Sequence, residues 1–405
     1  MDKKMEELKM LSRRAGEVQP SPTVALSGKI AELRRQGTDI ISFNIGEPDF
    51  PTPDYIKKAA FEAVNQNFTK YPPTGGFFDL QEAVVNKLRM DNGVSYDPKQ
   101  ICVSNGAKQS VLNALYALCG EGDEVIIPVP CWVSYTEMVK LTGAVSVLVE
   151  ADEKRGFALD LAAIEAAITP RTKVIIINTP NNPSGAIYSE ESLRKLAAMA
   201  VEHDFYIISD EIYEKLIYDG EKHFCIGSIS PEVQERCVII NGVSKAYAMP
   251  GWRIGYSASA KPIAKAINAF QSQMTSGACA ISQKAALAAI TGPQNDLSNM
   301  REEYDKRRRF MQKRLNELDG FTCDTVKGAF YLLPDISALL GRGYAGKTIT
   351  SSMDLAAFFL EEAHVAVVPG EAFNTKNKLR FSYANSMENI VKGLERIEAA
   401  IAVLS

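Results

Sequence analysis

The most specific stretch of this chain is Ser244-Lys245-Ala246-Tyr247-Ala248-Met249-Pro250-Gly251-Trp252-Arg253-Ile254-Gly255, which follows the apolar run Val238-Ile239-Ile240. Lys245 stands among small and apolar neighbours, whereas a surface lysine usually stands among other charges. Desolvation disfavours the ammonium form and can lower a lysine pKa from about 10.4 by roughly 3–5 units. The neutral amine attacks carbonyl carbon, so the stretch predicts a Schiff-base lysine. The alternative is a lysine at a strand end with its ammonium in solvent.

Two further side chains in this stretch are suited to a phosphate group. Ser244 offers a hydroxyl, and Arg253 offers a planar guanidinium that binds paired oxygens. A Schiff-base lysine beside a phosphate-binding pair indicates pyridoxal phosphate as the cofactor.

Length and composition limit the class of protein. The 405 residues exceed one ordinary core and favour two domains, or one large domain with an appendage. The formal net charge of -4 gives no basic surface for nucleic acid or an anionic membrane. No apolar run approaches the roughly 18 residues that a membrane helix needs.

Localisation and metal content follow from the termini and the cysteines. The charged segment Met1–Glu7 has no apolar signal core. The 7 cysteines are odd in number and lack CxxC spacing, which is typical of reduced thiols in a cytoplasmic protein. The histidines do not cluster with cysteines, so we expect no metal.

The middle of the chain alternates short apolar runs with helical patterns, which is typical of an α/β fold with a largely parallel sheet. The predicted strands are Gln100–Ser104, Glu124–Val129, Val145–Val149, Lys173–Asn178, Phe205–Ser209 and Cys237–Asn241. The helical segments between them include Gln109–Leu118, Leu159–Ile168 and Glu190–His203.

The pattern changes beyond about Thr291. A long charged helix is predicted over Met300–Leu318, with Arg307–Arg309 on a solvated face. Shorter strands and two helices then predict a smaller α/β domain. We therefore expect residues 46–290 to form a large domain, and residues 1–45 with 291–405 to form a small one.

Polar side chains follow four of the predicted strands directly. They occur in Asn105–Lys108, Asn178–Pro183, Asp210–Tyr213 and Ser244-Lys245. Because ligands collect outside the carboxyl ends of parallel strands, these groups should converge on one face. This convergence predicts a catalytic site.

Each group also has a structural alternative. Gly106, Ala107 and Lys108 join a strand to a helix whose N-terminus can bind phosphate, although glycine is common in such turns. Asp210 can hold a proton on a pyridine nitrogen or simply cap a helix. Tyr213 can reach a ring hydroxyl or serve in packing.

Three more residues carry the same ambiguity. Asn182 can bond the ring hydroxyl or form a turn. Trp132 can stack on the ring or fill the core. Arg380, a charge within a strand-like run, requires a carboxylate partner, which is either a substrate or an internal Asp or Glu.

The set as a whole resembles the class I/II aminotransferases of fold type I over roughly residues 20 to 400. The segments that match in order are Asn181–Gly185, Asp210–Tyr213, Ser244–Gly255, Gly328–Tyr331 and Leu379–Ala384. Cys131–Tyr135, Lys108 and Ser21 are most similar to the bacterial aspartate aminotransferases of the 1b subgroup.

The resemblance implies a cytoplasmic homodimer that binds pyridoxal phosphate and acts on amino acids and 2-oxo acids. Lys245 would form the Schiff base and move a proton, Asp210 would pair with the ring nitrogen, and Trp132 would stack on the ring. Tyr213 and Asn182 would bond the ring oxygen. The implied phosphate ligands are the backbone of Ala107 and Lys108 beside Gly106, the side chains of Ser244 and Arg253, and Tyr71 of a second subunit.

Substrate contacts are implied in the same way. Arg380, Asn182 and Gly46 would bind the α-carboxylate, while Lys108 and Ser21 would meet the distal carboxylate of an acidic substrate. This favours aspartate with 2-oxoglutarate, and the alternative is an aromatic amino acid or prephenate-type substrate. Cys131 replaces an aromatic residue that relatives often carry. The resemblance therefore does not determine the detailed shape of the side-chain pocket.

Other classes fit less well. Gly341–Thr348 matches a phosphate-binding P-loop, but Pro334 and Asp335 interrupt any strand that would lead into it. We expect an exposed loop there. A regulator with this fold would carry a basic DNA-binding domain ahead of it, and only some 20 residues precede the matched region. Lyases and decarboxylases of the same fold share the cofactor-binding groups.

Overall fold

The computed structural model describes residues 22–405 and, ahead of them, residues 12, 16, 18 and 19. The strands in chain order are β1 (Ile41–Ser42), β2 (Ile101–Asn105), β3 (Glu124–Val129), β4 (Val145–Glu150), β5 (Thr172–Asn178), β6 (Tyr206–Asp210), β7 (Cys237–Gly242), β8 (Ile254–Ala258), β9 (Tyr331–Leu332), β10 (Gly343–Tyr344), β11 (Lys347–Thr348), β12 (Val365–Ala366), β13 (Val368–Pro369) and β14 (Leu379–Ser382).

The α-helices alternate with these strands through most of the chain. In order they are α1 (Pro22–Arg35), α2 (Asp54–Asn65), α3 (Phe78–Lys87), α4 (Ala107–Leu118), α5 (Ser134–Thr142), α6 (Leu161–Ala166), α7 (Glu190–Glu202), α8 (Pro231–Arg236), α9 (Lys261–Met274), α10 (Ala280–Thr291), α11 (Asn295–Glu317), α12 (Ser352–Phe358) and α13 (Met387–Ile401). No helix of the described residues is long and apolar enough to cross a membrane.

A seven-stranded sheet with the order β2-β8-β7-β6-β5-β3-β4 forms the centre of the fold. The pairs β7–β6, β6–β5, β5–β3 and β3–β4 are parallel, whereas β8 runs antiparallel to both neighbours. The α/β fold with a mostly parallel sheet is therefore confirmed.

Both faces of this sheet are covered by helices, which explains its continuous apolar strands. On β3, Ile126 packs into one apolar cluster while Val125 and Ile127 pack into the cluster on the opposite face. Since adjacent side chains alternate between faces, successive apolar residues of a strand contribute to opposite cores.

A second group of elements lies outside the central sheet and comes mainly from the part of the chain after α10. It contains the three-stranded sheet β13-β14-β9 and the parallel pair β1–β12, which joins the N-terminal part of the chain to its C-terminal part. Its core includes Phe330, Phe381 and Tyr383 and extends to Ile212 and Tyr213 behind β6. This shared packing places β14 beside the end of the large sheet.

The prediction that Arg307–Arg309 are solvated is wrong for two of the three arginines. Arg307 and Arg308 are buried on α11, and only Arg309 is exposed. Arg308 donates to Asp305 and Asp219, so its charge is paired within the protein. The sequence pattern carried no sign of Asp219, which lies 89 residues away along the chain.

One strand was not predicted, and one predicted loop contains a short hairpin. β8 did not stand out as a strand, because its small residues, Gly255 and Ser257, interrupt the apolar pattern. Gly341–Thr348 contains the antiparallel hairpin β10–β11, and α12 begins only at Ser352. Lys347 and Thr348 are thus exposed strand residues, not the start of a helix that binds phosphate.

Candidate active site

A cavity of about 530 Å³ lies at the carboxyl ends of the central strands. The predicted site residues that line it are Gly46, Ala107, Lys108, Trp132, Asn182, Asp210, Tyr213, Ser244, Lys245, Arg253 and Arg380. Neighbouring strands bring these groups together, since Asn178 and Asp210 are paired in register at the ends of β5 and β6. The wall that faces this edge is supplied by residues around Gly46 and by β14.

Two predicted residues do not line this cavity, and the position of a third is not described. Gly106 precedes α4 and packs against Arg253 behind the cavity wall. Tyr71 is 94% exposed and is not among the residues lining this cavity. Ser21 lies outside the described residues, so its predicted contact has no structural account.

Lys245 lies just beyond β7, and its side chain extends into the cavity. Its Nζ donates a hydrogen bond of 2.6 Å to the carbonyl oxygen of Gly46. Burial lowers the pKa of Lys245 to about 8, and the nearby charges of Arg380 and Arg253 act in the same direction, whereas Glu47 opposes them. A substantial fraction of the amine is therefore neutral near pH 8 and able to act as a nucleophile.

Asp210 ends β6 and is fully enclosed by protein. Burial raises its pKa to about 6, although the Tyr135 hydroxyl and the Ile212 amide favour the ionised form by donating to its two oxygens. The Tyr135 bond is 2.7 Å long. No helix begins here, so the alternative of a helix cap does not apply. A buried carboxylate of this kind is stabilised by a protonated ring nitrogen.

Tyr135 is a residue of the site that sequence reasoning missed. It lies on α5, three residues after Trp132, and packs edge-on against that indole with ring centroids 5.3 Å apart. The available signal was its place in the quoted segment Cys131–Tyr135, three residues after Trp132, which was already predicted to contact the ring.

Arg380 is buried on β14 between the rings of Tyr331 and Phe373, 4.4 and 4.9 Å from their centroids. It donates to Asn182 Oδ1 at 3.0 Å and to the Asn44 carbonyl at 2.8 Å. Burial lowers the pKa of its guanidinium.

The charge of Arg380 has no carboxylate partner in the described part of the chain. Its Nε and the Oδ1 atom of Asn44 are buried without a hydrogen bond there. Because an unpaired buried charge is costly, this arrangement favours an anionic ligand. Of the two predicted partners for Arg380, a substrate carboxylate is the one that the geometry supports.

A phosphate cradle lies at the other end of the cavity. α4 begins at Ala107, which lines the cavity, so the free backbone N–H groups of its first turn are available to an anion there. A Cβ added to Gly106 would lie 2.3 Å from Arg253 Nη2, and one on Gly255 would lie 2.1 Å from the Ala107 nitrogen. The two glycines therefore permit the close approach of Arg253 and β8 to the helix end.

Aromatic and cationic groups complete the walls. Lys108 Nζ lies 5.2 Å from the centroid of the Trp132 ring, and burial followed by the Arg253 charge lowers the pKa of Lys108. The hydroxyls of Tyr213 and Tyr331 are 2.9 Å apart. Tyr331 is a second residue that the sequence did not single out for the site, although it lies in the quoted segment Gly328–Tyr331.

A charged network lies behind Asp210. Lys87 bonds Glu214, and Asn92 donates to both Glu214 and Glu211 at 2.7 and 2.8 Å. His223 shares a 2.8 Å bond with Glu211. Burial alone would raise the pKa of Glu214, but Lys87 and His223 together lower it to about 2. This network fixes the turn after β6 with its charges largely compensated.

The residues of the cavity fit pyridoxal phosphate by three observations. The cradle at Ala107, Ser244 and Arg253 matches a phosphate dianion. Buried Asp210 requires a cationic partner such as a protonated pyridine, and Lys245 offers an amine of lowered pKa. An amine, an anion cradle and a ring-nitrogen partner in one cavity are the three groups that this cofactor needs.

The chain matches the family model described as aminotransferase class I and II over residues 38–397. An aspartate aminotransferase of Geobacillus stearothermophilus is 44% identical over 96% of this chain and 98% of that relative. An aspartate/prephenate aminotransferase of Cereibacter sphaeroides is also 44% identical, over 98% of this chain and 99% of that relative. The structure of Thermus thermophilus aspartate aminotransferase with maleate superposes with a TM-score of 0.91 at 43% identity, covering 96% of this chain and 99% of that one.

Because the pKa of Asp210 is raised in the folded protein, replacing this residue with a neutral one should stabilise the fold near neutral pH. Without cofactor, Asp210→Asn should increase the free energy of unfolding at pH 7.5 by about 2–3 kcal/mol, because the ordinary pKa is 3.8 and the folded value is about 6. The folded pKa is the higher one, so the penalty is absent below about pH 4 and complete above about pH 6. Urea unfolding across this range measures it.

Asp319→Asn is the control of opposite sign. Arg342 lowers the pKa of this exposed carboxylate, so its loss should slightly destabilise the protein near neutral pH. An Asp210→Asn protein no more stable than wild type at pH 7.5 would contradict the burial penalty.

Proposed function

Because the chain belongs to the aminotransferase class I and II family, we propose that it transfers the amino group of L-aspartate to 2-oxoglutarate, with pyridoxal phosphate as cofactor. The observation that carries this proposal is the meeting of Lys245, Asp210 and Arg380 in one cavity. These three groups supply an amine, a partner for a ring nitrogen and an unpaired guanidinium.

The cofactor would be held at both ends. Ser244, Arg253 and the start of α4 at Ala107 would bind its phosphate, and Tyr213 and Asn182 its ring oxygen. Trp132 would cover one face of the ring. When bound, pyridoxal phosphate supplies an aldehyde that bonds to amines and a protonated ring that withdraws electrons from the substrate Cα.

The protein's part in the chemistry is largely to hold and transfer protons. Asp210 would keep a proton on the ring nitrogen, and the hydrogen bond from Tyr135 keeps the carboxylate ready to do so. Lys245 Nζ would accept the proton from the substrate Cα once its amine is free. The pKa of about 8 suits this work, since a base is most effective when its pKa is near the working pH.

Arg380 would bind the substrate α-carboxylate. Its position between Tyr331 and Phe373 fixes the plane of the guanidinium, and Asn182 and Asn44 hold one edge. The planar fork then meets a carboxylate in two hydrogen bonds, which orients the substrate for proton transfer. Gly46, whose added Cβ would lie 3.0 Å from the Tyr331 hydroxyl, leaves room for this contact.

Lys108 would bind the distal carboxylate of aspartate, with Ser21 as its predicted helper. The Thermus thermophilus relative has been solved with maleate, a dicarboxylate, which supports an acidic substrate. The aspartate/prephenate name of the Cereibacter sphaeroides relative supports the second candidate. Lys108 beside Trp132 suits this alternative too, because the indole also offers apolar surface to an aromatic ring.

We further infer a homodimer in a cytoplasmic setting, in which Tyr71 reaches the phosphate site of the second copy. Several large apolar side chains are exposed between residues 61 and 90, namely Phe61, Val64, Tyr71, Phe78 and Met90. Such exposure favours a protein interface. The free cysteines, six of them buried, support a reducing compartment.

The domain division at residues 45/46 and 290/291 remains part of the proposal. The central sheet lies within 101–258, and the parallel pair β1–β12 supports grouping the N-terminal part with the C-terminal one. The cavity would then lie where the two domains meet.

Lys245→Ala should abolish transamination while leaving the fold intact, because Lys108, the other lysine that lines the cavity, lies over the Trp132 ring and is assigned to the substrate. Condensation of Lys245 with the aldehyde of pyridoxal phosphate releases water, and borohydride then reduces the C=N bond. The wild-type peptide should therefore gain a phosphopyridoxyl group, which is the cofactor minus water plus two hydrogens, and the variant should gain nothing at this site. Mass spectrometry of the reduced peptides measures it. Wild-type turnover by the variant would refute the assignment.

Lys108→Ala should weaken aspartate and spare phenylalanine. Loss of a partner for a desolvated carboxylate costs about 2–5 kcal/mol, so kcat/KM for aspartate should fall selectively. Lys173→Ala is the matched control, because Lys173 also lies over an aromatic ring, that of Tyr206, but away from the cavity. An equal small loss with both substrates would contradict the distal site.

A further inference from the structure

Tyr71 has an exposed side chain on a loop that is anchored at Thr74 and Phe77. Its side chain is 94% exposed, yet the loop of residues 66–77 that carries it is tied to two helices. Gln271 on α9 donates to the Thr74 carbonyl at 2.7 Å, and Gln283 on α10 accepts from the Phe77 amide at 2.8 Å. The loop that presents Tyr71 to solvent is therefore fixed at its C-terminal part.

Lys284 is the centre of this support. Its Nζ lies 4.7 Å from the ring centroid of Phe68 and 4.9 Å from that of Phe77, the two residues on either side of the Tyr71 tip. The same nitrogen pairs with Asp79 at the start of α3. The two rings meet edge to face with centroids 5.7 Å apart. The cation therefore contacts both ends of the loop where they come together.

The charge of Lys284 is therefore engaged by the two rings and the Asp79 carboxylate. The side chain is only 21% exposed, which is low for a lysine on a helix surface. Cations over aromatic faces attract them by about 0.5–2 kcal/mol, and the strength rises as water is excluded. Two such contacts and an ion pair hold Phe68 and Phe77 at a fixed separation.

We propose that Lys284 is a positioning residue, which holds the 66–77 loop so that Tyr71 reaches the cofactor phosphate of a second copy of this chain. The inference rests on the proposed homodimer and on the proposed contact of Tyr71. Lys284 itself touches neither cofactor nor substrate. It acts by reducing the freedom that Tyr71 would lose on binding, as a preorganised group does.

The test is the dissociation constant of pyridoxal phosphate, measured by absorbance on the dimeric protein with the dimer checked by sedimentation. Lys284→Met keeps an unbranched side chain that is one atom shorter and removes its charge, and should raise this constant about five- to tenfold. Lys284→Arg retains a cation between the rings and should restore near wild-type affinity. Lys195→Met, which removes an exposed lysine from its ion pair with Glu191 on α7, is the matched control.

Tyr71→Phe separates this inference from the function on which it rests. If Tyr71→Phe weakens the cofactor and Lys284→Met adds nothing in the double variant, the two residues act through one contact and the proposal holds. If Tyr71→Phe weakens the cofactor while Lys284→Met matches the Lys195→Met control, the positioning role is wrong and the dimer contact stands.

Two further results would overturn the proposal. Unchanged affinity in Tyr71→Phe would remove the contact between subunits and the role of Lys284 with it. Weaker cofactor binding by Lys284→Met that is accompanied by dissociation into monomers would show that Lys284 maintains the interface and does not position Tyr71.

Discussion

Burial of charge without a charged partner is the constraint on which this structure depends. In the described part of the chain, Lys245, Asp210 and Arg380 form no ion pair, although each lies within or against the same cavity. Burial raises the pKa of Asp210 and lowers the pKa of Lys245 and Arg380, so it favours the neutral form of each group. The cost is several kcal/mol for each ion, and a ligand of matching charge would remove it.

The scaffold offsets this cost. Parallel strands that are apolar on both faces give the sheet two cores, and Asp210 and Lys245 lie only at or beyond the ends of its strands. Behind Asp210, the compensated network of Lys87, Glu214 and His223 fixes the turn that carries Tyr213. The stability of the fold thus comes from the sheet. The cavity can therefore keep unpaired groups for binding and proton transfer.

Local patterns predicted the sheet and most of the cavity. Asp210, Asn182 and Lys245 each follow an apolar run, so the sequence alone was enough to predict that they share one edge of the sheet. Long-range pairing carries no such signal. The burial of Arg308 depends on Asp219, and the hydrogen bond to Asp210 depends on Tyr135, 75 residues away in sequence. β8 escaped notice because glycine and serine replace the apolar residues that mark its neighbours.

The most direct test of the central claim is the visible absorbance of the purified protein with pyridoxal phosphate, before and after L-aspartate is added alone. We expect a cofactor band that shifts to shorter wavelength with aspartate, as the amino group passes to the cofactor, and that returns on addition of 2-oxoglutarate. A band that ignores aspartate and responds to an aromatic amino acid would contradict the substrate assignment. The absence of any protein-bound band would contradict the assignment of Lys245, Asp210 and Arg380 to one cofactor site.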